Sequence, residues 1–174
     1  MYYGNIKNND IADGTGVRVS LFVSGCRNAC EGCFQPETWS FTYGKPFTKA
    51  VLERVMTLLS PPYIEGLTIL GGEPFEPENQ ATVLKIVKSV RQKYKNKKNI
   101  WIYTGYTFDK DLREKGKRYT ENTEEILINT DVLVDGRFIL EKKDISLAFR
   151  GSSNQRIIDV KKSLLSEKVV EVQL

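Results

Sequence analysis

All the cysteines of the chain fall in one loop, as Cys26-x3-Cys30-x2-Cys33. An odd count packed this tightly is not a disulfide framework. In an intracellular protein such clustering serves metal ligation or redox chemistry. Three thiolates on one tight loop can reach three corners of one metal assembly. An all-cysteine [4Fe–4S] site needs four thiolates, and the chain has no fourth to give. One iron then lacks a protein ligand, and an open position is what a catalytic metal keeps and a structural metal closes. Gly25 and Gly32 let the backbone pass close to an inorganic core. A structural zinc with a carboxylate as fourth ligand is the alternative left open by the spacing. The chain has no histidine. That excludes Ser-His-Asp and Cys-His catalysis, His-x-Glu deamination and His-ligated zinc.

The second chemical signal is Gly71-Gly72-Glu73-Pro74. Glycines at the end of a strand let main-chain amides approach a ligand, and Glu73 offers a carboxylate to an ammonium group. Read alone, such a segment is also an ordinary strand-to-helix turn. On this reading Gly72 leaves room for a ligand, so a valine there is expected to spare a metal cluster and abolish ligand turnover.

The elements that must position these residues follow from hydrophobic periodicity. Val17 to Val23 reads as a buried strand, followed by a loop from Ser24 to about Lys45. Thr48 can cap a helix over 49–59, which Pro61-Pro62 stops. Gly66 to Leu70 is a strand, residues 78–95 an amphipathic helix, and Ile100 to Tyr103 a strand. A weaker helical region spans 108–129, and Asp131 to Asp135 is a strand. Ile157 to Val160 and Val169 to Leu174 are strand candidates. Strands alternating with helices mean an α/β fold with a mostly parallel sheet, covered by helices. The units are too few for an eight-fold barrel, so the expected form is an open partial (β/α) barrel. The cysteine loop, Gly71-Gly72-Glu73, Thr104-Gly105 and Asp135-Gly136 each follow a strand. They therefore share the sheet edge where ligands of α/β folds bind.

The 174 residues, 40% hydrophobic and 28% charged, suit one soluble domain spanning 1–174. The net charge of +4 is mild, and its cluster at Lys93, Lys95, Lys97 and Lys98 reads as a solvated helix end. Neither a nucleic-acid footprint nor a membrane partner is expected. No apolar run approaches the roughly 20 residues of a membrane span, and Met1 to Asp10 lacks a secretory pattern. A cytoplasmic location is the expectation.

The cysteine motif followed by Gly-Gly-Glu-Pro after the next strand resembles the radical S-adenosylmethionine superfamily. More narrowly, the chain is similar to the family of glycyl radical enzyme activases that serve the anaerobic ribonucleoside-triphosphate reductase. That similarity rests on Asp13-Gly-Thr-Gly-Val-Arg18, Leu21-Phe-Val-Ser-Gly-Cys26, Cys30-Glu-Gly-Cys33, Glu37-Thr-Trp39 and Gly44-Lys-Pro-Phe-Thr48. It extends through Trp101-x-Tyr-Thr-Gly-Tyr106, Val134-Asp-Gly-Arg-Phe138 and Arg150-Gly-Ser-Ser-Asn-Gln155. Thr15 stands where the family usually has proline, and Glu73 where close relatives often have aspartate.

The resemblance implies two cofactors, a [4Fe–4S] cluster and S-adenosyl-L-methionine. Cys26, Cys30 and Cys33 would hold three irons, and the amino and carboxylate groups of S-adenosylmethionine the fourth. Gly71, Gly72 and Glu73 would meet the methionine amino group. Gly32 and Phe34 flank the third ligand, and the backbone at Cys33 would contact the adenine. Thr104, Asp135 and Arg137 are further candidates for polar contacts to the cosubstrate. The implied reaction is transfer of hydrogen from a glycine of the large subunit of the reductase, with an electron donor such as flavodoxin. Trp101 is expected in the core. Asp13 to Arg18 is expected in a structural role, on the edge away from the cysteines. Arg150 to Gln155 fits a site wall, a partner contact or an exposed turn. The alternatives are an activase of another glycyl radical enzyme, such as pyruvate formate-lyase, and a non-catalytic metal-binding module. The short chain and Arg150-Gly-Ser-Ser-Asn-Gln155 argue against the first.

Overall fold

The computed structural model describes residues 1–172. In chain order the strands and α-helices are β1 (Tyr2–Asp10), β2 (Val17–Val23), β3 (Lys45–Pro46), α1 (Lys49–Leu58), β4 (Ile64–Gly71) and α2 (Pro77–Tyr94). They continue as β5 (Asn99–Tyr103), α3 (Thr123–Ile128), β6 (Val132–Asp135), β7 (Arg156–Asp159) and α4 (Val160–Ser166). The strands form one open sheet in the order β3-β1-β2-β4-β5-β6-β7. Neighbours β2, β4, β5 and β6 run parallel. β1 runs antiparallel to β2 and β3, and β7 antiparallel to β6.

Side chains alternate across the sheet. Val19, Leu21, Val23, Leu67, Ile69, Ile100, Ile102, Leu133 and Ile158 share one core with the buried faces of all four helices. In α2 that face is Val83, Ile86, Val87 and Val90, each worth roughly 1.5–3 kcal/mol on burial. Among the described residues the opposite face carries no α-helix. Trp101, Val134 and Ile157 form a smaller cluster there with Tyr103 and Phe149, and the Trp101 and Phe149 rings meet edge-on at 5.6 Å. The expectation of helices over both faces is corrected accordingly: loops close the second face, leaving room for a site.

Local signals explain the helix ends. The Thr48 side chain accepts from the N–H of Val51, and Pro77 opens α2, where a missing N–H costs nothing. Asp159 accepts from the N–H of Lys162 at 3.0 Å and starts α4, so Val160 is helical and the strand before it ends one residue earlier than expected. Met1 to Asp10, read as a polar end, supplies β1. Its hydrogen bonds come from β2 and β3, and only Tyr3, Ile6 and Asp10 of its residues are buried. The region 108–129 is mostly irregular, with α3 covering six residues. Side chains hold it instead: Gln80 donates to Phe75 O and Arg118 O and accepts from the hydroxyls of Thr120 and Thr123. In the tail, Glu171 bridges to Ile158. Gln173 and Leu174 of the last strand candidate lie outside the described residues. Among the described residues no helix is long and apolar enough to cross a membrane.

Candidate iron–sulfur site

A cavity of about 440 Å³ opens on the face without α-helices, at the C-terminal ends of β2, β4 and β5. Cys26, Cys30 and Cys33 all line it, together with Gly71, Gly72, Glu73, Thr104 and Gly105. The parallel register of β2 and β4 brings Val23 beside Gly71, so the cysteine loop and the Gly-Gly-Glu turn leave the sheet side by side. Backbone hydrogen bonds then join them. Gly72 N donates to Val23 O at 2.7 Å and Glu73 N to Gly25 O at 2.8 Å. On its other side the loop is held by Gly25 N to Thr38 O at 2.8 Å and Cys26 N to Trp39 O at 3.1 Å.

Gly72 also packs directly against the cysteine loop. A Cβ there would sit 2.8 Å from Gly25 O and 3.0 Å from Thr38 O. A side chain at position 72 thus pushes on the cysteine loop itself as well as on the space before it.

Glu73 is fully buried and its carboxylate collects four donors. The amide of Phe75 (2.9 Å) and the hydroxyl of Thr104 (2.8 Å) donate to one oxygen. The amide of Gly105 (2.8 Å) and the side-chain amide of Asn28 (3.1 Å) donate to the other. Burial pushes its pKa up to about 7; the donors oppose that shift and the nearby Glu76 charge adds to it. A ligand ammonium that is to reach this carboxylate must displace Asn28 or Thr104. Thr104 is thus joined to Glu73, and Asn28 is a site residue that cysteine spacing alone gave no reason to single out.

The remaining candidates separate. Phe34 lines the cavity, its ring 5.3 Å from that of Phe138. Gly32 is absent from the lining. It has φ +70°, and a Cβ there would meet the Leu140 side chain at 2.8 Å, so it shapes the turn before Cys33. Asp135 does not line the cavity either: it accepts from Phe108 N at 2.7 Å and from the Arg156 guanidinium at 2.9 and 2.5 Å. Arg137 is exposed and reaches Ala29 O at 3.4 Å; Gly136, between these two, does line the cavity.

Two stretches outside the candidate set also reach the site. Arg150, Gly151 and Gln155 form part of its wall. Asp13 lines it as well, against the expectation of a place on the opposite edge. The cause is Arg18, which is fully buried and lies 5.3 Å from the Trp101 ring. It donates to Thr68 Oγ1 at 2.7 Å and to Thr15 O at 3.0 Å, while Thr68 Oγ1 donates to Asp13 O at 2.8 Å. These bonds fold the turn 11–16 across the open face. Burial, and then the neighbouring Asp10, push the Asp13 carboxyl up to about 7.

The residues fit an iron–sulfur cluster. The three thiols are free, half-buried and open to one cavity. Burial, then the Glu73 charge, push the Cys26 thiol up to about 11. Among the described residues no three His, Cys, Asp or Glu side chains converge on a single-ion site. A cluster asks less convergence, because each thiol meets an iron of its own.

Comparison with known proteins agrees. The family model of a 4Fe-4S single cluster domain matches residues 12–158. The anaerobic ribonucleoside-triphosphate reductase-activating protein of Pasteurella multocida (strain Pm70) is 40% identical over 159 residues, 90% of this chain and 96% of that protein. The protein of the same name from Escherichia coli (strain K12) is 41% identical over 148 residues, 84% of this chain and 90% of its own length. Its counterpart from Enterobacteria phage T4 is 36% identical over 157 residues, 90% of this chain and 93% of its own. The chain belongs to the family of anaerobic ribonucleoside-triphosphate reductase-activating proteins, built on a 4Fe-4S single cluster domain.

Proposed function

We propose that this protein is a radical S-adenosylmethionine enzyme that installs a glycyl radical on the large subunit of an anaerobic ribonucleoside-triphosphate reductase. The observation that carries the reading is the meeting of Cys26, Cys30, Cys33 and Gly71-Gly72-Glu73 in one cavity at the ends of parallel strands. Held there by Cys26, Cys30 and Cys33, a [4Fe–4S] cluster would supply the one-electron reduction of S-adenosylmethionine that leads to abstraction of a hydrogen atom from a glycine Cα.

The chain's own residues bind, orient and exclude water. The cysteine thiolates would hold three irons and leave the fourth for the amino-acid end of the cosubstrate. The Gly71-Gly72 backbone would meet its ammonium, with Glu73 as the charge behind it and Asn28 as the group that yields. Phe22, Phe34, Trp39 and Leu70 give the cavity apolar walls, which would shield a radical from water. An open sheet suits a substrate that is a protein segment. The electron comes from a one-electron donor of the flavodoxin type.

The test is electron paramagnetic resonance on the reconstituted protein mixed with the reductase, reductant and S-adenosylmethionine. A doublet that collapses when the reductase glycines are deuterated at Cα is expected. Cleavage of S-adenosylmethionine with no radical on the reductase would keep the superfamily and remove this function.

A further inference from the structure

The segment after β6 leaves the sheet and folds back as a ribbon over the cavity mouth. Ser153 N donates to Lys142 O at 2.9 Å, Asp144 N to Gly151 O at 3.2 Å, and Ile139 N to Ser152 Oγ at 3.3 Å. Its side chains divide between two directions. Phe138, Leu147 and Phe149 line the cavity. Leu140 and Ile145 remain in solvent, 39% and 94% exposed. Phe34, which follows the third cysteine directly, is 67% exposed and lies against Gly151, whose carbonyl accepts from the N–H of Asp144, next to Ile145. Gly32 packs under Leu140, and the Phe34 and Phe138 rings touch, so ribbon and cysteine loop share one apolar rim. Single exposed apolar residues need no explanation, but a contiguous patch running into a binding cavity marks an interaction surface.

The rim also carries charge. Arg137, Lys142 and Lys143 are exposed, and the Lys143 ammonium lies 5.4 Å from the Phe34 ring. None of the three has an ion-pair partner among the described residues. Of the two acids on the ribbon, Asp144 is engaged by the amide and hydroxyl of Ser146, and Glu141 stands free beside the lysines. On the ribbon these three cations stand against two acids, and Glu31 is the exposed acid of the facing cysteine loop.

We infer that the rim formed by Phe34, Leu140 and Ile145 is the docking surface for the reductase, which meets it with an apolar segment flanked by carboxylates. This inference rests on the proposed function. The occupant is a polypeptide because the rim is continuous with the cavity that must admit part of that same partner. The apolar side chains supply the affinity, while Arg137, Lys142 and Lys143 steer the approach.

The experiment uses the full chain, anaerobically reconstituted, in three forms: wild type, Ile145→Asp, and Lys142→Glu with Lys143→Glu. None of the changed residues lines the cavity. Two quantities are read: dissociation constant for the large subunit of the reductase, and cleavage of S-adenosylmethionine without it. Cleavage should be unchanged in all three. Ile145→Asp should weaken binding by about tenfold or more. The double variant should bind more slowly and lose most of the salt dependence of the on-rate. Binding within twofold of wild type in both variants would overturn the surface and leave the function standing. So would loss of self-association in the variants with reductase binding intact, since the rim would then serve a second copy. A wild-type protein that does not bind the reductase at all would overturn the proposed function, and this surface with it.

Discussion

Glu76 accepts two hydrogen bonds from Arg27, one from the backbone N–H at 2.9 Å and one from the guanidinium at 2.7 Å. The carboxylate is fully buried and also takes the Tyr106 hydroxyl at 3.1 Å. Arg27 continues to Glu78 at 2.9 and 2.5 Å and lies 4.4 Å from the Phe41 ring. The loop between Cys26 and Cys30 belongs to no helix or strand, so its shape comes from these contacts at the start of α2.

Replacing Glu76 should therefore show in metal loading. Glu76→Ala leaves the Arg27 and Tyr106 donors unmatched and should destabilise the metal-free protein by about 1–3 kcal/mol. It should also lower the iron and sulfide retained after anaerobic reconstitution. Arg27→Ala keeps the backbone bond and removes the guanidinium's pairs with Glu76 and Glu78, so its loading should lie between wild type and Glu76→Ala. Denaturant unfolding and iron analysis check both. Full iron in Glu76→Ala would show that the loop shapes itself.

Gly72→Val should lose iron as well as S-adenosylmethionine cleavage, because its Cβ meets Gly25 O and Thr38 O. Gly72→Ala should show the same defect in milder form. Iron analysis beside a cleavage assay separates the cases: normal iron with abolished cleavage would return Gly72 to a ligand-contact role alone.

The pH dependence of the metal-free protein follows from Asp13. Burial and the neighbouring Asp10 push its carboxyl up to about 7 in the folded chain, from an ordinary value of 3.8. Between those values the unfolded chain gives up its proton first, so this group's contribution to stability falls as pH rises from about 4 to 7. Glu73, also raised to about 7, acts in the same direction. Thermal unfolding at pH 5 and pH 7.5 should show a loss for wild type that is smaller in Asp13→Asn. An equal loss in both proteins would place the titration elsewhere.

Much of this arrangement could be read from residue types. The parallel strands follow from short β-branched runs ending in glycine, and their common edge brings the cysteines and Gly71-Gly72-Glu73 together. Contacts distant in sequence were out of reach. Arg18 reads as one polar residue in an apolar strand, and only the fold sets it against Trp101 and Thr68, which draws Asp13 into the cavity. The ribbon that carries Arg150 and Gln155 has no hydrophobic period and is held by single hydrogen bonds. Asp135 and Arg137 lie at the expected strand end, but Arg156 and Phe108 N claim the Asp135 carboxylate. A neighbour on β7 made that choice, and the local sequence could not show it.

The most direct measurement is the yield of 5′-deoxyadenosine from S-adenosylmethionine on reduction of the reconstituted protein, compared among wild type and the alanine variants of Cys26, Cys30 and Cys33. Product is expected from wild type only, with cluster absorbance lost in each variant. Product from any one of the three variants, or none from wild type carrying its full iron, would contradict the proposed function.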